Sequence, residues 1–410
     1  MKHALVAILL ISSVLAAATQ VASGQVRQLA ELTASDGAAG DEFGFSVGVS
    51  GSTIAVGAAL ATVGVNAEQG AAYVFVGSRS DWTQVAKLTA SDGGAGDLFG
   101  DQIAISGDTV AVGSPRNNTL DGAVYIFVKP PSGWVDMTET AKLTCAQRPG
   151  FGLGGSLAMD GNTVVTGWGS GGGLPPSAFV FAQPKSGWAS TNEPDASLDP
   201  QGIIGFGDPV AINGRTIAVG TDAGDAGQGG AVVFLEPPGG WHGMVERSAK
   251  LSASDVHAGD HFGAALAVGG NTIVAGAYGH DSSGAVYVFV EPKTGWTNMT
   301  QTAELTVASR QKMVLGAQVA IIGNAVAAGA PGDFIRGHKD QGAVFGYLQP
   351  VGGWVNTSRP NISVTSLDGQ AGDSFGDSVG LVPMIAVIGA GGHAVEGNLL
   401  QGAAYVFGQR

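Results

Sequence analysis

Two short motifs recur seven times along this 410-residue chain, and an internal period of this kind rules out most folds at once. The first is an aromatic residue followed by glycine, at Phe43, Phe99, Phe151, Phe206, Phe262 and Phe375, with Leu315-Gly316 in the sixth place. The second is a small residue leading an alternating apolar stretch. It reads "GAAYVFV" at Gly70, "GAVYIFV" at Gly122, "SAFVFA" at Ser177, "GAVVFL" at Gly230, "GAVYVFV" at Gly284, "GAVFGY" at Gly342 and "GAAYVFG" at Gly402. Successive copies of the first motif stand 52 to 60 residues apart, so two independent markers count the same seven units.

Within each unit the apolar residues alternate with the period of a strand. Unit 2 shows four such stretches: "FGDQIAIS" from Phe99, "TVAVGSP" from Thr109, "GAVYIFV" from Gly122 and "TAKLTC" from Thr140. The first two are joined by dipeptides such as Ser50-Gly51, Ser106-Gly107, Asp160-Gly161, Asn213-Gly214 and Gly269-Gly270, which suit tight hairpin turns that need positive φ. Unit 7 has Val382-Pro383 there and needs a different turn. One four-stranded antiparallel sheet cannot bury both faces, but sheets stacked radially can. The predicted fold is all-β, a seven-bladed β-propeller with four antiparallel strands per blade. The chain ends on a third strand, "GAAYVFGQR", and "RQLAELT" from Arg27 is an orphan fourth strand. The N-terminal strand is therefore expected to complete the last blade and remove the open edge.

Composition narrows the function. Gly 68 is high, but a hydrophobic fraction of 44% without a Gly-x-y period fits neither collagen nor disorder, so the glycines serve turns. A net charge of -14 repels nucleic acid and anionic membranes. The single cysteine, Cys145, forbids an intramolecular disulfide. At the start, Lys2, an apolar run from Ala4 to Ala17, and small residues Ala22 and Gly24 read as a secretory signal peptide over residues 1–24. Residues 25–410 then form one propeller domain, expected to be secreted to the extracellular space or cell surface, monomeric and not inserted in a membrane.

The succession of Phe-Gly, a Gly-Ala-Pro-like triplet and a Gly-Val-Tyr-Val-Phe-like strand resembles the FG-GAP repeat of integrin alpha-subunit heads and exported bacterial propellers. The triplet reads Gly57-Ala58, Gly113-Ser114-Pro115, Gly276-Ala277, Gly329-Ala330-Pro331 and Gly389-Ala390, with Gly167-Trp168 and Gly220-Thr221 more divergent. The resemblance implies a propeller used for adhesion or protein interaction, without specifying a ligand. The integrin-type calcium loop between first and second strands has no counterpart here, where that connection is only a tight turn such as "SGST" from Ser50.

Four connections into a first strand carry an acidic pair: Asp36 and Asp41, Asp92 and Asp97, Asp255 and Asp260, Asp368 and Asp373. Repetition around a ring argues against a single catalytic constellation, and the pairs read as turn braces whose carboxylates accept backbone amides, with weak calcium sites as the alternative. His257, His261, His280 and Asp281 raise a zinc site without an evident further ligand. No residue is assigned to catalysis, to a cofactor or to a metal. Trp82, Trp134, Trp188, Trp241, Trp296 and Trp354 each precede a fourth strand as packing anchors, and Trp168 falls in a loop. Sequons stand at Asn117, Asn298, Asn356 and Asn361. The longer, more variable connections, from strand 4 to 1 and from 2 to 3, emerge on one face, the expected surface for an extracellular protein or glycan partner. The expected function is a binding or adhesion module without catalysis. The alternative is an exported glycan-active lyase or hydrolase with its site on that face.

Overall fold

A computed structural model of the chain describes residues 26–409 apart from 148–149, 151, 169–176, 200, 202–205, 222–227 and 310. The expected signal segment and Phe151 lie outside the described residues. Seven small sheets stand in a ring. Blade 1 runs outward through Ser46–Ser50, Thr53–Ala58, Ala71–Ser78 and Asp81–Leu88, and the same up-and-down order repeats in the others. Blade 7 takes Val379–Val382, Ile385–Ala390 and Ala403–Gly408 from the end of the chain, and its outer strand is Arg27–Leu32, with Leu32 opposite Ala404 and Arg27 opposite Gly408. The innermost strand of blade 1 packs on that of blade 2 at one side and that of blade 7 at the other, which closes the ring.

Each sheet is covered on both faces by its neighbours, so the second strand "TIAVGA" is buried along its whole length. Seven apolar cores result, one at each blade boundary. Between blades 1 and 2, Val74 and Leu88 meet Phe99, Val112, Tyr125 and Trp134. The Phe99 ring stands edge-on to Tyr125 with centroids 5.4 Å apart. The next residue, Gly100, has φ 96°, and its carbonyl oxygen lies where a Cβ on Gly57 of blade 1 would be. The same overlap recurs between Gly276 and Gly316 and, across the ring closure, between Gly389 and Gly44. The two halves of the repeat motif thus touch each other across every blade boundary, and only glycine permits the approach.

This contact corrects one register. In blade 3 the place of the Phe-Gly pair belongs to Leu153-Gly154, because Gly113 abuts Gly154 and Gly122 abuts the fully buried Leu153. The Phe-Gly pairs also sit in the turn before the strand, which in blade 2 begins only at Ile103; blade 4 is the exception, with its strand running Phe206–Asn213. The Val382-Pro383 turn has its positive φ at Met384, 68°, the arrangement of a type II turn with proline leading.

Trp134, Trp188, Trp241, Trp296 and Trp354 are buried anchors as expected, while Trp82 lies inside the fourth strand and is only half-buried. Trp168 ends a second strand, and its side chain lies outside the described residues. The segments after these anchors do something the sequence did not announce. Gly243–Val245 of blade 4 pairs in parallel with Ala196–Leu198 of blade 3, Met299–Thr300 pairs with blade 4, and single bridges join Leu88 to Met137, Leu143 to Thr191 and Leu305 to Thr357. Blades 2 to 6 are each laced in this way at the outer edge to the one before. The boundary between blades 6 and 7 has no tryptophan among its described residues and holds an apolar groove of about 490 Å³ along Val26, Ile362 and Met384.

Candidate functional site on the loop face

The connections from strand 4 to 1 and from 2 to 3 open on one face and carry all four acidic pairs. The second aspartate of each pair is buried and accepts the amide three residues earlier. Ala38 donates to Asp41 at 2.8 Å, Gly94 to Asp97 at 2.8 Å, His257 to Asp260 at 2.7 Å and Gln370 to Asp373 at 2.7 Å. These four are turn braces.

The first aspartate turns to a different partner. In blade 2, Asp92 accepts the Tyr125 hydroxyl at 2.8 Å and the Lys142 ammonium at 2.5 Å, and Lys142 stands 5.2 Å over the Tyr125 ring. Asn117 completes the group, donating to Asp97 at 2.9 Å and accepting from Lys142 at 2.8 Å. This sequon asparagine is buried and doubly bonded, so it offers no glycosylation site. Blade 1 repeats the pair with Asp36 and Lys87 at 2.5 Å. Burial pushes both aspartates up, but the lysine beside each outweighs it and holds Asp36 and Asp92 below the ordinary value.

Blades 5 and 7 build the same corner from other residues. Glutamates 304 and 31 replace the lysine, and histidines 280 and 393 replace the asparagine. His280 Nδ1 lies 2.8 Å from Asp260, and its Nε2 faces Glu304 at 3.8 Å and Asp281 at 3.7 Å. His393 Nδ1 lies 2.9 Å from Asp373, and its Nε2 faces Asp368 at 3.8 Å and Glu31 at 3.9 Å. Burial opposes the charged ring of His280, but Asp260 above all, then Asp281 and Asp255, raise its pKa. Burial and the neighbouring Asp255 raise Glu304 against the pull of His280. Asp255, His280 and Glu304, and likewise Asp368, His393 and Glu31, bring one possible ligand atom each within 4.8 Å of one another.

Of the residues flagged in the sequence, His280 is part of such a group, His257 is exposed, and His261 stacks on Tyr278 at 4.5 Å. Glu304 and Glu31 were missed. Their signal was present in the fourth strands, which read "LAELT" and "TAELT" where blades 1 and 2 read "VAKLT" and "TAKLT".

Two further features mark this face. A cleft of about 930 Å³ beside blade 2 is lined by Asp92, Asp97, Arg116, Asn117, Lys142 and Cys145, among others. The axial channel, about 590 Å³, is walled by apolar first-strand residues such as Val47, Leu157 and Val319, with Asp208 and Asp377 at the strand starts. Burial, helped by Glu42, raises Asp377 to about 7, and burial raises Asp101 to about 6 against the opposing pull of Gln102 and Arg116. At the loop tips of the adjoining blades 1, 6 and 7, Val65, Phe334 and Leu399 are exposed by 97%, 46% and 70%.

The FG-GAP repeat family model matches residues 26–75, 82–127, 245–289 and 362–407. The protein is an FG-GAP repeat propeller. The four matched stretches are those that contain an acidic pair, so the corners described above coincide with the clearest FG-GAP repeats. No curated protein sequence matches the chain. A crystal structure from Bacteroides uniformis, described as a candidate 6-phosphogluconolactonase, is similar to this FG-GAP propeller with a TM-score of 0.51 and 12% identity, over 80% of this chain and 86% of that one. At that identity the likeness extends to the fold alone. Among the described residues no helix is long and apolar enough to cross a membrane.

Proposed function

We propose that this FG-GAP propeller is an extracellular binding module that takes a protein partner on its loop face and performs no catalysis of its own. The observation that supports it is the set of apolar loop tips, Val65, Phe334 and Leu399, carried into solvent by adjoining blades. Exposed apolar side chains rimmed by polar loops on a rigid frame are what a partner protein desolvates. The acidic pairs add to the reading, since their carboxylates are engaged with amides, tyrosine hydroxyls and lysines rather than turned toward one reacting centre. The test is a protein and glycan binding screen run beside lyase and hydrolase substrate panels, with V65S/F334S/L399S as the comparison. Binding that the triple variant loses, without turnover, supports the module; turnover without binding overturns it.

A second reading, an exported glycan lyase or hydrolase, has one observation in its favour. Asp377 at the channel mouth has a pKa near neutrality, raised by burial, as a general acid requires. Turnover on a glycan panel that Asp377→Asn abolishes would establish it.

A further inference from the structure

Four blades carry one corner in two chemical versions, and the comparison between them identifies what the second version is for. In blades 1 and 2 the corner contains its own cation: the Lys142 ammonium sits among the Asp92 carboxylate, the Asn117 carbonyl oxygen and the face of Tyr125. In blades 5 and 7 the surrounding frame is kept. The braced aspartate, the loop aspartate and the third-strand tyrosine all remain, as Asp260, Asp255 and Tyr287 in blade 5 and as Asp373, Asp368 and Tyr405 in blade 7. The cation is replaced by an acid, Glu304 or Glu31, which leaves two carboxylates facing each other. The asparagine becomes a histidine whose side chain is 6% exposed in both blades.

We infer that the Asp255, His280, Glu304 corner and the Asp368, His393, Glu31 corner each bind a divalent transition-metal ion, of which zinc is the representative, in the place that a lysine ammonium holds in blades 1 and 2. The histidine is set for the task. Its Nδ1 is fixed by a carboxylate, Asp260 or Asp373, which leaves Nε2 facing Glu304 and Asp281 in blade 5 and Asp368 and Glu31 in blade 7, the usual way a protein orients a metal-bound imidazole. Nε2 makes no hydrogen bond to the carboxylates it faces, because 3.7 to 3.9 Å is too long. Two ligands each about 2.0–2.2 Å from one ion in tetrahedral array stand roughly 3.3–3.6 Å apart, so a small inward shift of flexible side chains completes the site. In blade 5, Asp281 adds a fourth ligand, an oxygen 3.7 Å from Nε2. One nitrogen with two or three carboxylates suits zinc or manganese better than calcium, which takes oxygen alone.

The blade 7 site has a particular consequence. Glu31 belongs to the N-terminal strand, whereas Asp368 and His393 come from the loops of blade 7 late in the sequence, so an ion there clasps the first strand to the last blade at the ring closure. A protein with a single cysteine has no disulfide to do this.

The experiment titrates chelator-treated protein with zinc against a chromophoric chelator, in the wild type, Glu31→Lys, Glu304→Lys and the double variant. Each substitution reinstates the lysine of blade 2 beside its aspartate, so the variants are expected to fold, and circular dichroism confirms that before titration. The expected stoichiometry is two ions per chain, one in either single variant and none in the double variant, with calcium in tenfold excess failing to compete. Zinc is also expected to raise the melting temperature of the wild type, and less that of Glu31→Lys. Failure of the wild type to take up zinc at micromolar concentration, or uptake by the double variant equal to that of the wild type, overturns the assignment. The metal corners stand independently of the partner proposed for the loop tips.

Discussion

Asp377 offers a direct test of how the channel mouth is built. Its carboxyl titrates at about 7, raised from an ordinary 3.8 first by burial and then by Glu42. Below the ordinary value both folded and unfolded chains hold the proton and no penalty exists. As pH rises from there toward 7 the unfolded chain ionises while the folded one keeps its proton, so stability falls, and above 7 the loss is complete. A shift of this size sets a ceiling of about 4 kcal/mol at roughly 1.4 kcal/mol per unit, and sharing with Glu42 and local relaxation bring the working figure to about 2 kcal/mol. Asp377→Asn keeps the shape and removes the titration. The variant is therefore expected to be about 2 kcal/mol more stable than the wild type at pH 8 and nearly equal to it close to pH 4. Urea unfolding at each pH, followed by the fluorescence of the buried tryptophans, measures both differences. A gain of the same size at both values, or none at pH 8, refutes the reasoning.

Other substitutions probe the repeat itself. Phe99→Ala empties a fully buried place against Tyr125 and Phe127 and is expected to cost about 3–5 kcal/mol in urea unfolding. Gly276→Ala puts a Cβ onto the Gly316 carbonyl of the next blade, with an expected loss of about 3 kcal/mol or more, read as a lowered urea midpoint or failure to fold. Met384→Gly relieves a left-handed residue in an exposed turn and is expected to raise stability by about 0.5–1 kcal/mol, measured by the same midpoint.

The sequence carried the architecture because each blade states it separately: alternating strands, turn dipeptides and paired motifs repeat, and the orphan strand at Arg27 matches the unfinished blade at the other end. It misplaced blade 3, where Phe151-Gly152 and Leu153-Gly154 stand side by side and only the contact of Gly154 with Gly113 decides between them. The edge lacing was invisible because segments such as Gly243–Val245 are too short to show a period, and their partners lie in another blade. The histidine corners were half visible. His280 drew attention through neighbours close in sequence, yet its companion Glu304 comes from a strand, and Glu31 from the opposite end of the chain from His393. Such groups can be found in the sequence only by comparing the same strand position between repeats, where the lysine of blades 1 and 2 gives way to glutamate in blades 5 and 7.

The outer strand of blade 7 is the first part of the propeller to leave the ribosome, and the strand it pairs with is nearly the last. Throughout synthesis Arg27–Leu32 must wait without its partner while six blades form behind it. A chain cut short by even its final strand would show an unpaired β-edge on each side of an open ring. Completion of the ring therefore reports that the last strand of the propeller has been made, and a product lacking it exposes sticky edges of the kind that draw chaperones, proteases or aggregation.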